Sequence, residues 1–197
     1  AEMDAMMHKA ITIIQFKVEG QLIKKHPEWN MKERLLLDKI DYKQGTIKLG
    51  GKEYPLNDTY FPTIDPKDPY KLTHEEEDVV ERLKNSFLGS ERLQRHIRFL
   101  YTKGSLYKVY NGNLLYHGCV PLNEDGSFMK VRIFDKTYSG KALYDILEHY
   151  ARKGYYSIDP QEKQRGEDIL WFIWKNKHSP VFGKERMATF ERYFIDA

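Results

Sequence analysis

Residues 105–119 read SLYKVYNGNLLYHGC, and the organisation of the chain is best interpreted outward from them. Side chains alternate over residues 105–110 with the period of a β-strand. Asn-Gly at 111–112 is the strongest short-range signal for a tight hairpin turn, because both residues readily adopt positive φ. Residues 113–117 then return as a second strand. We therefore predict a β-hairpin that ends on His117.

The sequence on both sides of this hairpin is mainly helical. Apolar residues recur with a 3.6-residue period, and capping residues mark several helix starts. The predicted helices are one of about 22 residues ending before Pro27, a short one from Asn30 to Leu37, one from Thr73 to Phe87, one from Ser90 to a stop at Gly104, and others at 141–152, 161–175 and 184–194. Paired glycines at 50–51 predict a small hairpin between strands 46–49 and 52–56, and a further strand is predicted at 128–134.

Local patterns also predict packing and capping. Two capping boxes are predicted, Asn30 with Glu33 and Thr73 with Glu76. The predicted apolar face of the first helix comprises Met3, Met7, Ala10, Ile11, Ile14, Val18, Leu22 and Ile23.

The predicted fold class is α+β, mostly helical with two β-hairpins. We predict three parts. Residues 1–104 form a mainly helical cap or insertion with a small hairpin. Residues 105–139 form the β-hairpin and strands that carry His117, and residues 140–197 form a helical segment.

Composition excludes several classes of protein. The 32 Lys and Arg residues exceed the 29 Asp and Glu residues by only three, and the charges are interspersed, which does not indicate a nucleic-acid-binding surface. No apolar run approaches the roughly 20 residues that span a bilayer. The single cysteine, Cys119, cannot form a disulfide within the chain and is typical of a reducing compartment. We therefore predict a cytoplasmic protein without nucleic-acid or membrane partners.

His117 is the sharpest candidate for chemistry. A strand end is a rigid platform, and Gly118 directly after it lets the backbone approach a bulky ligand or metal ion closely. A neutral imidazole there can coordinate a divalent metal ion, although a histidine at a strand end is also common as a purely structural residue. Catalytic metal sites need three or more protein ligands, so either His117 is structural or its partners lie elsewhere in the fold or outside the chain.

Three other features allow a functional or a structural interpretation. Lys184 and Arg186, in the loop HSPVFGKER (178–186), are candidate phosphate contacts, or else the edge of an ordinary turn between helices. Cys119 is predicted to be a small buried thiol rather than a nucleophile. The acidic run 75–78 is expected to complement a helix dipole rather than to bind a metal ion.

Residues 113–128, NLLYHGCVPLNEDGSF, resemble the class III (Firmicutes-type) fructose-1,6-bisphosphatases. Further similar segments follow the order of that family. They are IIQFKVE (13–19), ERLLLDKIDY (33–42), KGSLY (103–107), FGK (182–184) and TFERYF (189–194). Several separated matches in one order are more specific than any single motif.

The family in turn resembles the calcineurin-like metallophosphoesterases, which build a two-metal site on an α/β sandwich. Their ligand motifs are D-x-H, G-D-x-x-D-R-G, G-N-H-[DE], a strand-borne His-Gly and a late G-H-T. Only the strand-borne motif is present in this chain, as His117-Gly118. The resemblance therefore implies an internal segment excised from a larger enzyme, with His117 as one nitrogen ligand of the metal site.

The implied parent enzyme hydrolyses the sugar bisphosphate fructose 1,6-bisphosphate to fructose 6-phosphate and phosphate in gluconeogenesis, with Mn²⁺ as the metal. The segment alone is expected to be inactive and to bind Mn²⁺ weakly, because its partner, the remainder of the parent chain, would supply the other metal ligands. Exposed hairpin edges are expected to allow self-association. Two alternatives stay open: a regulatory or interaction lobe, and a metallophosphoesterase of other specificity.

Overall fold

The computed structural model describes residues 2–182 and 194–196. The α-helices of these residues are α1 (Glu2–Lys25), α2 (His74–Leu88), α3 (Glu91–Lys103), α4 (Gly140–Tyr156) and α5 (Pro160–Lys175). The strands are β1 (Ile40–Asp41), β2 (Thr46–Leu49), β3 (Lys52–Pro55), β4 (Tyr107–Tyr110), β5 (Asn113–Tyr116), β6 (Val131–Ile133) and β7 (Lys136–Tyr138). The predicted mostly helical α+β chain is confirmed. Among the described residues, none of the helices combines the length and apolar character that a bilayer crossing requires.

Packing divides the described residues into two compact units. The first comprises residues 2–85 and 194–196, and the second comprises residues 86–182. The three predicted parts, with boundaries after residues 104 and 139, stay a prediction. Within the second unit, hairpin β4–β5 packs on α4 through the edge-to-face rings of Tyr107 and Tyr144, whose centroids are 5.6 Å apart.

The first unit packs α1 against a three-stranded antiparallel sheet in the order β1-β2-β3. The predicted turn at Gly50-Gly51 is confirmed, with φ of 56° and 80°. The structure contains more strands than the two predicted hairpins. Strand β1 adds a third strand to the sheet of the first unit, and β6–β7 forms a further antiparallel pair. The buried core of the unit comprises Ile13, Phe16, Leu36, Leu37, Ile40, Ile47, Leu56, Ile64, Tyr70, Phe194 and Ile195.

The buried face of α1 differs from the predicted one. Met3 and Met7 are 73% and 58% exposed, whereas Lys17 is fully buried. The Lys17 ammonium lies 2.7 Å from the Glu76 carboxylate and donates to the Thr63 carbonyl at 2.5 Å. A buried charge is tolerated only when it is paired and hydrogen-bonded. These two partners allow Lys17 to lie on the buried face, which also includes Ile14 and Ile23 of the predicted one.

Side-chain caps begin α2 and α3 as the sequence predicts. The Thr73 N–H donates to the Glu76 carboxylate at 2.9 Å, and the Glu76 N–H donates to the Thr73 hydroxyl at 3.2 Å. This is a complete capping box. The Ser90 hydroxyl accepts from the Leu93 N–H at the start of α3. Both predicted helix starts are therefore confirmed.

The predicted helix from Asn30 to Leu37 is wrong. Three short 3₁₀ turns occupy Pro27–Trp29, Lys32–Arg34 and Leu37–Lys39. Asn30 adopts a left-handed conformation, with φ 54°, and its N–H closes the first turn on the Pro27 carbonyl. A helix N-cap needs an extended backbone, so Asn30 ends a turn and cannot begin a helix.

Two glycines allow α4 and α5 to approach closely in the second unit. A Cβ added to Gly154 would lie 2.7 Å from the Gly166 carbonyl carbon and 2.8 Å from the Glu167 nitrogen. Real Cβ atoms essentially never come this close. The two helices are therefore in backbone contact at this crossing.

The predicted strand at residues 128–134 is wrong in extent. Antiparallel strands β6 and β7 occupy residues 131–133 and 136–138 instead. The turn between them starts at Phe134, which has φ of 51°. A phenylalanine with positive φ is uncommon, and residues 134–135 carry no glycine or asparagine that would signal a turn.

Candidate metal-ligand site

His117 directly follows β5 and its side chain is exposed. Strands β4 and β5 pair from Tyr107 opposite Tyr116 to Tyr110 opposite Asn113, so the predicted Asn-Gly hairpin is confirmed. The His117 ring makes no hydrogen bond or ion pair with another described residue. Its nitrogens are thus open to an external ligand.

Gly118 adopts a backbone conformation that other residues rarely tolerate. Its φ is 93°, in the left-handed region. A Cβ at this position would also collide with the Pro180 carbonyl oxygen and lie 2.8 Å from the Val181 carbonyl oxygen. Glycine is therefore required here both for its φ and for the close approach of another backbone segment, which the sequence did not predict.

Both backbone groups of Cys119 are hydrogen-bonded. Its N–H donates to the Pro180 carbonyl at 2.9 Å, and its carbonyl accepts from the Tyr144 hydroxyl at 2.9 Å. We call this pair of bonds the Cys119 anchor. The anchor fixes the chain two residues after His117 from two separate elements, helix α4 and the loop after α5.

The loop after α5 is itself held by buried polar side chains. Ser179 is fully buried, and its hydroxyl donates to the Ile173 carbonyl at 2.5 Å and accepts from the Val181 N–H at 3.1 Å. The side-chain carbonyl of Asn176, also fully buried, accepts from the His178 N–H at 2.8 Å. The Pro180 carbonyl is therefore presented by an ordered turn.

Glu148 of α4 holds the other end of the hairpin. Its carboxylate accepts from the Ser105 hydroxyl at 2.6 Å, the Leu106 N–H at 3.0 Å and the Arg152 guanidinium at 2.8 Å. Partial burial raises the pKa of Glu148, but the hydrogen bonds from Ser105 and Arg152 outweigh burial, and the pKa lies below its ordinary value. The carboxylate is therefore ionised at neutral pH.

A second carboxylate on the same helix face contacts β4. Asp145 accepts from the Tyr107 hydroxyl at 2.9 Å and from the Lys141 ammonium at 2.6 Å. The Lys141 hydrogen bond lowers the pKa of Asp145, and the same contact raises the pKa of Lys141. Helix α4 thus contacts the hairpin at its start, in β4 and just beyond His117.

The described residues do not complete a metal site. No group of three or more His, Cys, Asp or Glu side chains among them is placed to hold a metal ion. The chemistry of His117 fits one nitrogen ligand, since its imidazole is exposed at the end of a strand. Further ligands would have to come from outside the described residues.

Other candidates from the sequence are placed as follows. Lys184 and Arg186 lie outside the described residues. Cys119 is exposed, so the prediction of a buried thiol is wrong; it continues an exposed stretch that begins at residue 108. In the acidic run, Glu76 pairs with Lys17, and no metal cluster forms among the described residues.

Sequence reasoning missed the residues that hold the hairpin. Glu148 lies four positions after Tyr144 and three after Asp145, spacings that place each of them beside Glu148 on the surface of α4. This polar and aromatic face, on a helix that follows a hairpin, was the available signal. The Pro180 carbonyl left no signal, because a backbone acceptor has no sequence signature.

Comparison with known proteins identifies the family. The family described as Firmicute fructose-1,6-bisphosphatase matches residues 1–197. The chain therefore belongs to this bacterial bisphosphatase family.

The similar curated relatives are, more particularly, of class 3. The chain is 58% identical to fructose-1,6-bisphosphatase class 3 of Clostridium tetani over 193 residues, which cover 98% of this chain and 29% of the relative. It is 59% identical to the corresponding protein of Clostridioides difficile, over 97% of this chain and 29% of the relative. The chain thus spans about 29% of the length of these relatives. No solved structure matches it.

Proposed function

We propose that this chain is a segment of a larger fructose-1,6-bisphosphatase, which hydrolyses fructose 1,6-bisphosphate to fructose 6-phosphate and phosphate in gluconeogenesis. The family match over the whole chain carries the proposal. It is supported by relatives 56–59% identical that are named for this activity. The place of the segment within an α/β-sandwich metallophosphoesterase in the cytoplasm belongs to the same proposal.

His117 is proposed as one neutral nitrogen ligand of the metal site, with Mn²⁺ as the expected metal. Bound metal would polarise the phosphoryl oxygens and lower the pKa of a water molecule that attacks phosphorus. The residues of this chain position the ligand. Strand β5 ends directly before His117, and the Cys119 anchor fixes the backbone beyond it. Lys184 and Arg186 remain proposed contacts of the substrate phosphate.

The longer enzyme that carries this chain tests the proposal. Replacing His117 with Ala is expected to lower Mn²⁺ affinity and kcat for fructose 1,6-bisphosphate by about 100-fold or more, since changes in the outer shell of metal sites already cost 10- to 100-fold. Bound metal is measured by elemental analysis after dialysis, and phosphate release gives the rate. His149→Ala is the matched control, because His149 is exposed on α4 in the same unit.

Unchanged metal content in His117→Ala would refute the assigned role. Assaying a panel of other phosphate esters in the same way tests the alternative that the enzyme prefers another substrate. Faster turnover of another ester than of fructose 1,6-bisphosphate would replace the proposed substrate while leaving the metal role intact.

The 197-residue chain alone is expected to show no phosphatase activity and no tight Mn²⁺ site. One imidazole is a weak ligand, and the described residues do not supply a second and third ligand beside it. Calorimetric titration with Mn²⁺ measures this directly. A submicromolar site that disappears in His117→Ala would contradict the expectation.

The exposed helix surface favours a second role for the same segment, as an interaction lobe. Phe87, Leu88, Phe99 and Leu100 are 60–65% exposed. Several large apolar side chains exposed within residues 87–100 favour a contact with another protein surface. We propose the remainder of the longer enzyme as the partner, since the relatives are more than three times as long as this chain. Hydrogen exchange that is slower at residues 86–100 in the longer enzyme than in the 197-residue chain supports this role, and equal exchange contradicts it.

A further inference from the structure

We infer that Tyr144 is a positioning residue for His117. Its hydroxyl bonds the Cys119 carbonyl, and together with the bond from the Cys119 N–H to Pro180 it fixes the backbone that follows the proposed metal ligand. The inference rests on the proposed function, because it gives Tyr144 a role in metal binding through His117.

The Cys119 anchor leaves His117 little freedom. Before His117, the β4–β5 pairing fixes Tyr116 opposite Tyr107. After it, the two bonds of the anchor fix Cys119. Only Gly118 intervenes, and its backbone is packed against the Pro180 and Val181 carbonyls. The backbone at His117 is thus held on both sides along the chain, which limits the positions that the imidazole can reach.

The surroundings of Tyr144 make its hydroxyl a stable hydrogen-bond donor. Its side chain is 5% exposed, and its ring packs edge-to-face on Tyr107. Burial raises the pKa of the Tyr144 phenol, so the group stays protonated and can donate at neutral pH. A buried hydroxyl with one specific acceptor gives orientation as well as stability.

Other hydrogen bonds of α4 attach the hairpin, so the positioning role of Tyr144 can be distinguished from attachment of the hairpin to the helix. Glu148 binds the start of the hairpin at Ser105 and Leu106, and Asp145 binds the Tyr107 hydroxyl. These bonds hold the hairpin on α4 without Tyr144. Among these hydrogen bonds of α4, the Tyr144 bond is the one that reaches the segment beyond His117, so its loss should affect the ligand position more than the attachment of the hairpin.

Two matched hydroxyl deletions test the inference in the longer enzyme. Tyr144→Phe removes the part-buried bond to the Cys119 carbonyl, and Tyr107→Phe removes the exposed bond from the hairpin to the Asp145 carboxylate. We expect Tyr144→Phe to weaken Mn²⁺ binding by about three- to tenfold, the value of one hydrogen bond. Tyr107→Phe should leave Mn²⁺ binding within about twofold, and excess Mn²⁺ should restore the rate of Tyr144→Phe.

The measurements are Mn²⁺ titration by electron paramagnetic resonance and amide hydrogen exchange at residues 117–120. Faster exchange at these amides in Tyr144→Phe, together with weaker metal binding, supports the inference. Equal Mn²⁺ affinity in the two variants overturns it, even if exchange becomes faster. His117→Ala is measured in parallel. If it loses metal while Tyr144→Phe does not, only the role of Tyr144 is wrong; if it keeps its metal, the proposed role of His117 is wrong as well.

Discussion

Gly166→Ala is expected to destabilise the second unit by about 3 kcal/mol or more, which is the upper range for overpacking. A Cβ at this position would overlap the backbone nitrogen and Cα of Gly154 and the Tyr150 carbonyl oxygen. All three are backbone atoms, so relief requires α4 and α5 to move apart. Alanine gains about 1 kcal/mol of helix propensity over glycine, which is too little to offset the clash.

Urea unfolding measures the change, and tryptophan fluorescence reports it because Trp171 and Trp174 both lie on α5. Lys163→Ala is the control, since Lys163 is exposed on the same helix and its substitution should leave the midpoint nearly unchanged. A wild-type midpoint for Gly166→Ala would show that the two helices are not in backbone contact.

Lys17→Ala is expected to destabilise the first unit by about 3–5 kcal/mol, the usual cost of removing one partner of a buried ion pair. The Lys17 side chain is 0% exposed and the Glu76 side chain 8% exposed. Without the ammonium, the Glu76 carboxylate stays buried with only its capping bond to Thr73, and the Thr63 carbonyl loses its donor.

Hydrogen exchange resolved by peptide separates this loss from any change in the second unit. The double variant Lys17→Met, Glu76→Leu should recover much of the stability, because an apolar pair of similar volume is often as stable as a buried ion pair. Lys84→Ala is the matched control: Lys84 and Glu81 form an exposed pair 3.2 Å apart, and such pairs contribute little. If Lys17→Ala is no more destabilising than this control, the pair is not buried in solution.

Elements with a local cause were predictable from the sequence. The Asn-Gly and Gly-Gly turns specify their hairpins because few other residues adopt the required positive φ. The Thr73–Glu76 capping box lies within four residues, so a short window contains both partners. These features were predicted correctly without any knowledge of the surrounding packing.

Elements with a distant cause were not predictable. Lys17 is buried because Glu76, 59 residues away along the chain, supplies the opposite charge. The 3.6-residue periodicity correctly placed Ile14 and Ile23 on the buried face, but it placed Met3 and Met7 there as well and left Lys17 out. Asn30 and Phe134 adopt positive φ in turns whose sequences lack the usual glycine signals.

The candidate site also combines a feature with a local cause and features with a distant cause. His117 could be selected from the sequence, because a strand followed by glycine is a local pattern. The Cys119 anchor could not, since Tyr144 lies 25 residues further along the chain and Pro180 contributes only a backbone carbonyl. The ligands that would complete the metal site have no counterpart among the described residues.

The bond from Cys119 to Pro180 has a consequence for the order of events on the ribosome. The β4–β5 hairpin uses only neighbouring residues and can form as soon as they leave the exit tunnel. The Cys119 N–H has no native acceptor until Pro180 has been translated. The backbone beside the proposed ligand is therefore fully fixed only after α4 and α5 have been translated, and nascent chains that end before Pro180 hold a formed hairpin whose Cys119 N–H lacks its native acceptor.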